Sequence, residues 1–216
     1  MKSNAPNLTK ALSLFLPEST AKGELSQILE YASLRGFIYY EQAKELIDDD
    51  PEEALLTAEE WRLLLPSRTA KSMAWEDRLL ILKEGELFEM PNIIIHLVKD
   101  ALESATWRTE EMLRQFFKEM GDPAWNLIPQ IFASMAQTAT NKMVSGNKIT
   151  KVCLDFGFSN KADWLIAELK GAGAISPKLS SPSDVMKAGS PLYELNPSLT
   201  KPFLSLSHAN GPKSIT

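Results

Sequence analysis

The spacing of apolar side chains divides the chain into short helices with a few extended segments between them. Asn7 is placed to cap a first helix that runs through Leu16 and ends at Pro17. Leu25, Ile28, Leu29 and Ala32 share one helical face, which predicts a second helix from Ser19 or Thr20 to about Leu34. Arg35-Gly36-Phe37 breaks it, and a third helix from Tyr39 to Ile47 turns Ala43, Leu46 and Ile47 inward. The acidic run Asp48–Glu53 is a solvated connector on this pattern. Thr57-Ala58-Glu59-Glu60 has the form of a capping box, with a hydroxyl at the cap and a Glu three residues on. It predicts a helix carrying Trp61, Leu64 and Leu65 up to Pro66. Leu79–Leu82 and Leu87–Met90, separated by Lys83-Glu84-Gly85-Glu86, predict a β-hairpin.

In the second half, Pro91 suits a first helical position, and Ile94, Leu97, Val98 and Leu102 line one face. Thr109-Glu110-Glu111 places negative charge at the start of a helix whose stripe is Met112, Leu113, Phe116, Phe117 and Met120. Gly121 ends it, and Asp122-Pro123 opens the next segment. Ile131, Met135, Ala139 and Met143 recur every four residues and predict a helix from Pro129 to about Val144. From Gly146 to Leu195 the order is a short helix (Ile149–Phe156), a break at Gly157 and a second helix (Asn160–Ala172). Ala174-Ile175-Ser176, a polar loop and a returning Leu192-Tyr193-Glu194-Leu195 follow.

Two helices across a tight turn, followed by a hairpin, resemble the winged helix-turn-helix superfamily. Residues 20–90 repeat that order, and Leu87-Phe88-Glu89-Met90-Pro91 echoes Leu192-Tyr193-Glu194-Leu195-Asn196-Pro197. The expected fold is therefore mainly α with small β-hairpin wings, as tandem winged-helix-like modules joined by a helical linker. The expected divisions are an N-terminal module over 1–90, connecting helices over 91–122, a C-terminal winged helix-turn-helix over 123–199 and a flexible tail over 200–216.

Charge changes this picture more than composition does. The net charge of −5 conceals nine Lys against five acids in residues 141–216, so that segment carries +4 and the remainder −9. A basic C-terminal module on an acidic body permits an anionic partner. All six Arg lie at or before Arg114. Cys153 is the sole cysteine, which excludes an internal disulfide and points to a reducing cytoplasm. The apolar runs are too short to span a bilayer, and Leu12–Leu16 lacks the cleavage pattern of a secretory signal.

Chemistry-bearing motifs are sparse. No dinucleotide or phosphate-binding glycine loop and no Gly-x-Ser-x-Gly elbow occurs, and the acidic run lacks the spacing of a calcium loop. His96 and Asp100 stand one helical turn apart, and His208 lies in the expected tail. No enzyme activity, cofactor or metal is expected. On a helical wheel of residues 160–172, Ala162, Leu165, Ile166, Leu169 and Ala172 face inward. Asn160, Trp164, Ala167 and Gly171 face outward, with Lys161 and Lys170 at the edges.

The resemblance implies two uses. As a DNA-binding transcriptional regulator, the chain would place Asn160 on a base edge. Lys161 and Lys170 would lie on phosphate or guanine, Lys148 and Lys151 on the backbone, and Lys178 and Lys187 in the wing (Ser176–Ser190). As an assembly module it would bury Trp164, with Ala167 and Gly171, against a protein partner or a second copy. No membrane contact is expected.

Overall fold

A computed structural model describes residues 5–67, 74–158, 161–179, 186 and 188–201. Helix dominates, with two small antiparallel sheets of three strands each. The chain order is α1 (Ala5–Leu12), α2 (Lys22–Arg35), β1 (Phe37–Tyr39), α3 (Tyr40–Leu46), α4 (Pro51–Glu60), β2 (Leu65–Pro66) and β3 (Leu87–Glu89). Then come α5 (Asn92–Ser104), α6 (Thr109–Glu119), α7 (Ile128–Thr138), β4 (Met143–Ser145), α8 (Gly146–Asp155), α9 (Ala162–Ala172), β5 (Ile175–Pro177) and β6 (Leu192–Leu195).

The order helix, strand, helix, helix, strand, strand therefore occurs twice, from α2 to β3 and from α7 to β6. In both sheets the last strand lies in the middle, β1-β3-β2 and β4-β6-β5. The registers coincide. Glu89 opposes Phe37 and Leu65, and Glu194 opposes Met143 and Ser176. Pro66 opposes Phe88 as Pro177 opposes Tyr193. The sequence echo around Glu89 and Glu194 is thus the middle strand of each sheet, at the same register.

Five expectations are corrected. The first concerns the hairpin: β3 takes β1 and β2 as its two edges, so Leu79–Leu82 has no open strand to pair with. That segment stays outside the sheet, with Leu79 exposed. The second is the capping box at Thr57, which lies inside α4. Asp50 caps that helix by accepting from the Glu53 amide at 2.9 Å, and Pro51 occupies the first turn. The earlier cap wins, and Trp61 follows the helix end rather than riding on it.

Third, the long helix from Pro129 ends at Thr138 because Asn141 and Lys142 turn with positive φ into β4. Fourth, Asn7 is not a cap. Its side chain sits inside α1 and donates to the Leu102 carbonyl at 2.9 Å, tying α1 to α5. Fifth, the expected tail begins too early: residues 197–201 are helical, and Ser198, Leu199 and Thr200 are buried. Residues 202–216, His208 among them, lie outside the described residues.

A single cluster of buried side chains runs from Leu8 to Leu199 through both repeats. Polar ties also cross between distant parts of the chain. The Trp107 indole donates to the Ser198 carbonyl at 2.9 Å, and the Trp75 amide to Ser176 Oγ at 2.9 Å. The Arg62 guanidinium meets Glu194 at 3.1 Å. Asn196, fully buried, donates from Nδ2 to the carbonyls of Arg62 and Gly173, both at 3.2 Å.

Candidate nucleic-acid interface

Three exposed lysines lie along α8 and at the entry to α9: Lys148 in the first turn of α8, Lys151 in its middle and Lys161 just before α9. Ser145 precedes α8 and accepts from the Lys148 amide at 3.3 Å, which fixes the helix start. Ile149, Val152 and Cys153 turn inward, so Asn147, Lys148, Thr150 and Lys151 face solvent. Gly157 takes positive φ, the Phe158 amide reaches back to the Cys153 carbonyl at 2.7 Å, and Lys161 follows at the entry to α9. Lys161 is exposed, its ammonium 5.4 Å from the Phe158 ring. Lys148 Nζ donates to the Thr138 carbonyl at 3.0 Å. None of these three lysines forms an ion pair with a carboxylate among the described residues, although Lys161 lies near enough to the buried Asp122 to lower its pKa. The end of the β5–β6 connection is pinned beside Lys148, since the Asn147 amide donates to Ser190 Oγ at 2.9 Å and its side chain to the Gly189 carbonyl at 3.2 Å.

The other expected cations lie elsewhere. Lys178 is paired with Glu76 of the segment between β2 and β3. Lys170, half-buried, lines a cavity between the two repeats. Asn160 and Lys187 lie outside the described residues. On α9, Asp163, Ala167 and Gly171 are exposed. Trp164 is half-buried and tilted against Phe158, with ring centroids 6.1 Å apart. The C-terminal half of α9 leans on α5, where Asn92 Nδ2 donates to the Gly171 carbonyl at 3.2 Å.

The corresponding region of the N-terminal repeat has opposite charge. The helix α4 stands where α9 stands in the second repeat, and it carries Glu52, Glu53, Glu59 and Glu60 beside an exposed Leu56.

His96 and Asp100 do not pair. Asp100 is taken by Arg108, while His96 Nδ1 lies 3.9 Å from Glu119 and its ring meets the Phe116 ring edge-on. Among the described residues no group of three or more His, Cys, Asp or Glu is arranged to hold a metal, and no described helix is long and apolar enough to cross a membrane. Burial pushes the Cys153 thiol up, away from the thiolate a nucleophile needs.

Sequence reasoning missed the residues that join the repeats: Arg62, Trp75 and Asn196. Only Glu194 left a readable trace, through its echo of Glu89.

No curated protein and no solved structure matches the chain. One family model, which carries no statement of function, matches residues 7–204. That match spans nearly the whole sequence, and the chain belongs to this family.

Proposed function

We propose that this is a tandem winged-helix protein whose C-terminal module binds duplex DNA through its phosphates. The doubled element order, with the last strand central in each sheet, supports the winged-helix assignment. One observation carries the DNA-binding part: Lys148 and Lys151 on α8 and Lys161 at the entry to α9 are exposed and in no ion pair among the described residues, while the equivalent helix of the first module is acidic. Phosphate contacts position a protein without reading sequence, and α9 offers no Arg for guanine. Binding is therefore of low sequence preference, and the first module takes no direct part in it. An assembly role has weaker support, because Trp164 is partly spent on Phe158 rather than standing free as an anchor.

Fluorescence polarisation on a generic duplex tests this. Affinity falls steeply with salt. Changing Lys148, Lys151 and Lys161 together to Ala reduces the steepness of log K against log salt by about 2.7, at ~0.9 for each phosphate that a lysine no longer neutralises. Absence of binding at low salt, or a triple variant that binds like the parent, defeats the proposal.

A further inference from the structure

A cavity of about 410 Å³ lies where the two modules meet, a size at which small-molecule sites occur. Its walls come from both modules. The first contributes Leu65 of β2, Glu89 of β3, and Trp75 and Arg78 from the segment between those strands. The second contributes Lys170 and the end of α9, and Asn92 of α5 closes the rim.

The charges are unusual for a mere gap between modules. The Arg78 side chain is buried, and its Nη1 donates to the Pro66 carbonyl at 3.1 Å and to Glu89 at 3.3 Å. Lys170 has no carboxylate or other hydrogen-bonding partner for its ammonium among the described residues, although it is half-buried. The α9 dipole favours a cation in the last turn, yet the same cation also faces a shared enclosure. Among the described residues, two cations against one carboxylate leave the lining at +1, which a single negative charge neutralises and a phosphate dianion overshoots. The remaining lining includes the largely buried Trp75 and Leu65 together with Phe37, Leu87 and Met90.

We propose that this cavity binds a small organic monoanion: a carboxylate attached to an aromatic or aliphatic body. The carboxylate lies between Arg78 and Lys170, and the body lies on Trp75 and Leu65. Because both modules supply the lining, such a ligand binds their docked arrangement and strengthens it. None of Lys148, Lys151 and Lys161 lines this cavity, so its occupancy does not depend on DNA binding.

The test is isothermal titration of the full chain with benzoate and indole-3-acetate, and with benzamide as the uncharged control. At least one carboxylate binds and raises Tm, and benzamide binds about tenfold or more weakly. Lys170→Met lowers carboxylate affinity about tenfold, and Lys170→Arg restores most of it. No heat and no Tm shift with either carboxylate overturns the proposal. Equal affinity for benzamide, or unchanged carboxylate binding in Lys170→Met, does so as well. Should Lys170→Met fail to fold, the comparison of benzoate with benzamide on the parent chain decides alone.

Discussion

Asp122 illustrates how one side chain can be both a fixture and a burden. Its Oδ1 accepts from the Ala124 amide at 2.6 Å, holding the turn into α7, while Oδ2 is buried with no hydrogen-bond partner among the described residues. Burial raises its pKa, against the lowering effects of that amide and of Lys161. A carboxyl whose folded pKa lies above its unfolded value holds its proton more tightly in the folded state. Its share of stability is thus full below the unfolded value and is lost as pH rises through the folded one. Asp122→Asn keeps an oxygen for Ala124 and removes the buried charge. The variant is expected to be more stable than the parent by about 1 kcal/mol at neutral pH. The gap closes in acid, as measured by urea unfolding across pH. Nothing in the local sequence marked Asp122 as buried. Asp-Pro read as a cap, and only the tertiary fold encloses it.

At the scale of elements, the helices written in long 3.6-residue stripes were legible: α2, α5, α6, α8 and α9 all stand where their apolar faces placed them. Short strands were not. β1 and β4 hold three residues each and β2 only two, too few for alternation to show. Two local motifs misled for the same reason. The capping box at Thr57 and the apolar run Leu79–Leu82 are each locally sound, and each is overruled by a neighbour, Asp50-Pro51 in one case and the already doubly paired β3 in the other.

The end of α9 gives the sharpest elemental prediction. Gly173 takes φ +78°, and a Cβ there would stand 2.5 Å from Pro91 Cβ. Gly157 has a similar φ, +74°, with nothing within 4 Å. Gly157→Ala is therefore expected to cost about 1 kcal/mol from backbone strain alone. Gly173→Ala adds the steric clash between α9 and the start of α5 and costs about 3 kcal/mol or more. Equal losses of stability in chemical denaturation would refute this account of the packing there.

For the molecule as a whole, the candidate site was half legible. Lys148, Lys151 and Lys161 could be picked out as exposed on their helices. The sequestration of Lys170 and Lys178 could not, because their surroundings come from residues about a hundred positions earlier. Doubling showed in the repeated element order of residues 20–90 and in a few letters around Glu89 and Glu194, which turn out to share a register while differing in partner. Glu89 is bound by Arg78 of its own module, and Glu194 by Arg62 of the other. A chain that carries two similar units runs the risk of misassembly, one unit docking on the wrong surface or on a neighbouring molecule. The two arginines give otherwise similar middle strands different addresses, so Arg62 is expected to disfavour mispairing during folding. Arg62→Ala leaves Glu194 buried without its cation, at a cost of about 2 kcal/mol or more. The sign specific to mispairing is a further one: dimers that grow with protein concentration on refolding, visible by size-exclusion chromatography, and absent when Glu194 is changed to Gln in the same chain.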